Sequence, residues 1–80
     1  MNRELAKHIA RVAFQASRDI GELVPLLKNH CSADEYEKFG KVIASVSATI
    51  GMDIMKLIFK DFPELEKEFD KDIETYGRIL

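Results

Sequence analysis

Apolar side chains recur at steps of three and four residues along most of the chain, which is the spacing of one face of an α-helix. Near the N-terminus these positions are Leu5, Ile9, Val12, Ala16, Ile20, Leu23 and Leu27. Asn2 precedes them as a candidate N-cap. Pro25 interrupts them, because proline cannot donate the hydrogen bond that a helix interior requires. The pattern predicts a first helix over about residues 3–28, with a kink or break near Pro25.

A second apolar series follows a polar turn at residues 29–32. Ser32 and Glu35 have the spacing of a capping box, which marks the start of a helix. No proline interrupts the chain from there to Pro63, and the apolar positions on the main face are Tyr36, Phe39, Ile43, Val46, Ile50, Ile54 and Leu57. The pattern predicts a second helix over about residues 33–60.

The third series is narrower and lies among many charged residues. Asp61 is a candidate N-cap, and Pro63 fits the first turn of a helix. The apolar stripe consists of Leu65, Phe69, Ile73, Tyr76 and Leu80. A third helix is expected over about residues 63–79. The chain is therefore predicted to be all-α, a single domain over residues 1–80 that folds as a three-helix antiparallel bundle.

Composition indicates a folded, soluble protein with a small core. The chain has 80 residues, of which 46% are hydrophobic and 32% charged. A chain this short buries only about 60% of its unfolded surface, and small domains often gain stability by oligomerising. One cysteine cannot form an internal disulfide, and we see no signal peptide and no stretch approaching transmembrane length. We expect a cytoplasmic protein that contacts no membrane.

Small residues form a second row on each long helix. On the first helix the row is Ala6, Ala10, Ala13, Ser17 and Gly21. On the second helix it lies beside the main apolar face and comprises Gly40, Ala44, Ser47, Ala48 and Gly51, continuing into Met55, Ile58 and Phe62. Small residues let two helix backbones approach closely. The two rows either pack on each other within one subunit or contact a second copy of the chain.

Three large side chains outside the main faces favour the second arrangement. Phe14 lies across the first helix from Leu5, where a monomer would expose its ring, and Val42 and Met52 fall outside the main face of the second helix. We therefore predict a homodimer, with twofold symmetry as the commonest closed form. The candidate interaction surface is Phe14, Gly40, Ala44, Ala48, Gly51, Met55 and Ile58. The predicted function is protein–protein contact, as an adaptor, regulator or stabilising subunit.

An alternative function is nucleic-acid binding by the basic side of the first helix, which carries Arg3, Lys7, Arg11 and Arg18. Phosphate binding needs such a cluster. The helix lacks aromatic residues suited to stacking, however, and no helix-turn-helix pair is evident. The formal net charge of −2 gives no general attraction to nucleic acid. The basic side could instead lie near the acidic third helix.

The candidates for chemistry are few. His30 and Cys31 precede the second helix, but no second cysteine is present to resolve an oxidised one. Glu4 and His8 can share a helix face, yet they lack the further ligands that zinc needs. Asp53 is expected to be exposed and near Lys56. The sequence therefore predicts no catalytic, metal or cofactor site.

Overall fold

The computed structural model describes all residues 1–80 and contains four helices and no strand: α1 (Arg3–Gly21), α2 (Leu23–His30), α3 (Ala33–Asp61) and α4 (Pro63–Tyr76). The all-α class is thus confirmed. The three longer helices α1, α3 and α4 form an up-down-up bundle, in line with the predicted three-helix arrangement. The short helix α2 joins α1 to α3 and packs against α3.

Two helix starts depend on side-chain caps that the sequence predicts. Asn2 Oδ1 accepts a hydrogen bond from the Leu5 backbone N–H at 2.8 Å. Ser32 and Glu35 form the expected capping box, in which the Ser32 N–H donates to the Glu35 carboxylate and the Glu35 N–H donates to the Ser32 hydroxyl. Hydrogen bonds from Ser32, first from its backbone N–H, lower the pKa of Glu35. These local contacts fix where α1 and α3 begin.

The predicted kink or break near Pro25 is a break, and it lies at Glu22. Glu22 keeps a near-helical conformation, with φ −66° and ψ −15°, and α2 starts at the next residue. Pro25 therefore falls in the first turn of α2, where a backbone N–H would have no partner within the helix. The proline is accommodated by restarting the helix rather than by bending it.

The N-cap residue and the C-terminal end of α4 differ from the sequence prediction, whereas the helix begins at Pro63 as predicted. Asp61 is the last residue of α3, and Phe62 takes the N-cap position without a side-chain hydrogen bond. Pro63 occupies the first turn, as expected. The helix ends at Tyr76 rather than near residue 79, because Gly77 adopts a left-handed conformation with φ 72°. The chain then turns, and Ile79 becomes part of the core.

The two rows of small residues pack on each other within the chain. The Ser17 hydroxyl donates to the Ser47 carbonyl at 2.7 Å, and the Ser47 hydroxyl donates to the Ser17 carbonyl at 2.6 Å. A Cβ on Gly51 would lie 2.9 Å from Ser17 Oγ, and one on Gly21 would lie 3.2 Å from Ser47 Oγ. We call this contact the serine–glycine seam. It sets α1 and α3 antiparallel and close together.

The hydrophobic core lies on one side of the α1–α3 pair, beneath α4. Its buried members are Ala6, Ala10, Ile58, Leu65, Phe69 and Ile79. The Phe59 and Phe69 rings meet edge to face at 5.4 Å between centroids. Phe14 and Ile73 pack against the same cluster. The core on this side of the α1–α3 pair is therefore buried only because α4 covers it.

The molecule is thin and elongated. Its principal extents are 45 × 24 × 15 Å, and only eight of the 80 residues are buried. The radius of gyration is 14.7 Å, whereas a compact domain of 80 residues has about 12 Å. One layer holds α1 and α3, and α4 covers only one of its two sides.

We expect Gly51→Ala to destabilise the chain by about 1 kcal/mol. The new methyl group displaces Ser17 Oγ and breaks its hydrogen bonds to Ser47, and this loss exceeds the gain of about 1 kcal/mol in helix propensity. Thermal unfolding followed by circular dichroism measures the change. In a Ser17→Ala background the hydroxyl is absent, so the same substitution should be neutral or stabilising. Equal effects in both backgrounds would contradict the seam.

Candidate interaction surface

The larger apolar series of α1 and α3 face away from α4. At about 100° per residue, Arg3 and Lys7, which contact α4, lie roughly opposite Leu5 on α1. Val12 is 52% exposed and Leu57 is 68% exposed, although the sequence places both on the main apolar faces. The small residues of α1 and α3 meet between the two helices, apart from the exposed Ala44 and Ala48, and several large residues face outward instead. This is the reverse of a usual amphipathic helix pair, in which the large residues meet.

These outward rows form one continuous surface, which we call the open face. Its residues come from α1 and α3 on the side opposite α4: Leu5, Ile9, Val12, Ala16, Ile50, Ile54 and Leu57. Of these, Ile9 is half-buried and also packs against the core. A shallow groove runs along its centre, lined by Ile9, Val12, Ala13, Ala16, Ile50 and Ile54, with His8 at one edge. On α3 the stripe continues through the exposed residues Val46 and Phe39. The surface is almost entirely aliphatic.

The surface predicted from the small row is mostly interior, and this corrects the sequence interpretation. Ile58 is 6% exposed in the core, and Met55 and Phe14 pack against that core. The expectation that a monomer would expose the Phe14 ring is therefore wrong, because α4 covers that side of α1.

The small residues of the predicted surface divide between interior and exterior. Gly51 contacts Ser17 in the seam, and Gly40 is buried beside Tyr36. Only Ala44 and Ala48 are exposed. The small residues of α3 pack against those of α1 in the same chain. This is the first of the two arrangements that the sequence left open.

The open face consists of residues from the predicted main apolar faces, which periodicity alone would place in the interior. One signal could have revealed it, namely the number of apolar rows. Each long helix carries a large row and a small row, whereas the third helix offers a single narrow stripe that can cover one side of the pair. One large-residue side must then remain uncovered in a monomer.

The basic side of α1 lies against α4. Lys7 Nζ donates to Glu68 Oε1 at 2.5 Å, and Arg3 pairs with the other oxygen of Glu68. The hydrogen bond from Lys7 is the main cause that lowers the pKa of Glu68. Arg18 donates to the Gly77 carbonyl, where α4 ends. Three of the four basic side chains proposed for nucleic-acid binding are therefore held within the chain.

The remaining polar candidates lie apart from one another. Arg11, the fourth basic residue, contacts His8 Nδ1 at 2.9 Å, so His8 pairs with it rather than with Glu4. Cys31 is half-buried at the end of α2. Asp53 is exposed, as expected, but forms no ion pair with Lys56. No group of three or more His, Cys, Asp or Glu residues is placed to hold a metal ion.

The expectation that no segment approaches transmembrane length is wrong for α3. By length and composition, this 29-residue helix could cross a membrane, since an 18-residue window has a mean hydropathy of 1.7. Only 6% of that window is buried within the chain. The window includes two charged residues, Asp53 and Lys56. Most of this apolar window is therefore exposed in the single chain.

Comparison with known proteins gives no assignment. No protein-family profile, no curated protein and no solved structure matches the chain. Function must therefore be inferred from the surfaces that the fold presents.

Replacing Glu68 with Gln should lower the stability by about 1 kcal/mol at pH 7, because Lys7 and Arg3 lose their carboxylate. The folded-state pKa of Glu68 is below its ordinary value of 4.5, so the stabilisation is complete above pH 4.5 and is lost as the pH falls through the folded pKa. Urea unfolding of both proteins at pH 7 and pH 3 should show the difference shrinking at pH 3. Glu66→Gln, which removes a carboxylate without an ion pair, is the control. A constant difference at both pH values would contradict the assignment.

Proposed function

We propose that the chain is a helical interaction module that functions as a homodimer, in which the open faces of two copies pack against each other. The observation that carries this proposal is the uncovered aliphatic surface on the side opposite α4. In a monomer, Val12, Ile54 and Leu57 are all exposed there. Contiguous apolar patches of this kind mark interaction sites on soluble proteins.

The exposed area supports a partner of the size of a second copy. The chain exposes 5799 Å², whereas a compact monomer of 9.1 kDa exposes about 4,900 Å². The excess of roughly 900 Å² is close to the area of about 800 Å² that each partner buries in a stable protein–protein interface. Dimerisation through the open face would bring the exposed area per chain to that of an ordinary compact domain.

The open face also suits a copy of itself. Both α1 and α3 contribute a row of large aliphatic side chains to the open face. A twofold axis that lies in the plane of the open face would therefore pack aliphatic residues of one copy against aliphatic residues of the other. The result would be a four-helix core of two α1 and two α3 helices, with an α4 helix on each outer side. Such a core supplies the burial that the thin monomer lacks.

In this proposal the dimer acts through protein–protein contact in the cytoplasm, as an adaptor, regulator or stabilising subunit. In this proposal the small residues between α1 and α3 stabilise the fold of each chain, and the large residues on the open face form the dimer interface. No catalytic step is part of the proposal.

Leu57→Lys should convert the dimer into a folded monomer. The Leu57 side chain is mostly exposed in the monomer, so a lysine there leaves the subunit fold unchanged but places two charges in the dimer interface. Sedimentation velocity over about 1 to 200 µM would measure the change, and we expect at least about a 100-fold weaker association, equivalent to roughly 3 kcal/mol. Circular dichroism should show the same helix content.

The matched control is Met52→Lys. Met52 is 60% exposed on the same helix but lies outside the open face, so this variant should remain dimeric. A wild-type chain that stays monomeric at 200 µM would overturn the proposal. Flotation of the chain with neutral phosphatidylcholine vesicles, abolished by Leu57→Lys, would overturn it in favour of a lipid surface.

A further inference from the structure

We propose that the dimer interface extends along α3 as far as Phe39 and Val46, and that dimerisation stabilises the part of the chain where α2 packs on α3. We call this part, residues 22–46, the distal hairpin. This inference rests on the proposed homodimer. It specifies how far the interface reaches and which segment depends on it.

The distal hairpin has almost no core of its own. Of the eight buried residues only Gly40 lies in it, and the others lie in α1, in the second half of α3, or in α4 and the turn after it. The Gly77 carbonyl, just past the end of α4, accepts a hydrogen bond from Arg18 in the last turn of α1. The helix that buries the core therefore ends before the distal hairpin begins.

Few contacts hold α2 in place. It has eight residues, whereas isolated helices shorter than about 12 to 15 residues are marginal in water. Its N-cap residue, Glu22, makes no side-chain hydrogen bond, and no side-chain hydrogen bond or ion pair joins α2 to another element. Only Val24 and Leu27 in α2 are half-buried. A segment with so few buried contacts opens at a lower free energy than the core.

The exposed apolar stripe of α3 continues onto the distal hairpin. At about 100° per residue, Phe39, Val46 and Leu57 lie within about 20° of one another around the helix axis. Phe39 is 49% exposed and Val46 is 43% exposed, and α3 runs without a break from Ala33 to Asp61. The open face and the outer side of the hairpin are therefore one surface.

A second copy has the length that is needed to cover this whole stripe. With 29 residues, α3 is about 43 Å long, and the chain as a whole measures 45 Å. A copy packed along α3 therefore lies over Phe39 and Val46 as well as Leu57, and it supplies the apolar layer that the hairpin lacks. Because only the ordered hairpin presents these side chains together, association favours the ordered form.

The variant Val46→Lys tests how far the interface reaches. Val46 is partly exposed in the monomer, whereas in the proposed dimer the new charge is buried on each side. We expect at least about 30-fold weaker dimerisation by sedimentation velocity. The matched control is Ser45→Lys, which adds the same charge at the neighbouring exposed position, about 100° around the helix and away from the stripe. It should change the dissociation constant by less than about 3-fold.

Hydrogen exchange tests the ordering. Leu57→Lys blocks association at a site about 16 Å along α3 from Val46, so it does not alter the hairpin itself. In this monomeric variant, we expect the amides of residues 37–46 to exchange at least about 10-fold faster than those of residues 47–56, after correction for intrinsic rates. In the wild-type dimer the two groups should be protected to within about 3-fold of each other.

The possible outcomes separate the interface from the homodimer. Equal protection of the two groups in the Leu57→Lys monomer would overturn the proposal, because the hairpin would then be stable alone. If Val46→Lys dimerises like the wild type and Leu57→Lys does not, the interface stops short of the hairpin and the proposal is wrong, while the homodimer stands. A monomeric wild type would instead mean that the homodimer itself is wrong.

Discussion

The close approach of α1 and α3 determines the rest of this structure. Glycine, alanine and serine side chains allow the two backbones to meet, and reciprocal hydrogen bonds between Ser17 and Ser47 hold them at one height. Since the small row of each helix is used for this contact, its larger apolar residues must lie to the sides. The pair therefore has two apolar sides, and α4 covers only one.

The helix boundaries were predictable because local contacts determine them. The Asn2 cap and the Ser32–Glu35 capping box involve residues three apart, so their spacing in the sequence is sufficient evidence. The end of α4 was less predictable, because the left-handed Gly77 and the burial of Ile79 depend on where the chain can pack after the helix.

The orientation of the long helices could not be read from periodicity in the same way. Periodicity shows that Val12 and Ala13 belong to different rows, but it does not show which row meets the neighbouring helix. That choice depends on the fit between two surfaces far apart in sequence, such as Ser17 with Gly51. The same limit applies to Phe14, whose covering by α4 requires the third helix to be placed first. The pairing of Lys7 with Glu68 agrees with the alternative that the basic side of α1 lies near the acidic third helix, but the sequence does not show which residues pair.

The serine–glycine seam also separates the residues that maintain the fold from those available to a partner. A slip of α1 by one turn would leave the Ser17 and Ser47 hydroxyls without their carbonyl acceptors and would bring side chains against each other where glycine now gives room. The register of the two helices is thereby independent of the aliphatic residues on the outer side. In the proposed dimer, substitutions among Leu5, Val12 and Leu57 would alter the choice or strength of a partner while the scaffold remains the same. Such a division would let the binding specificity of a very small protein evolve without loss of its fold.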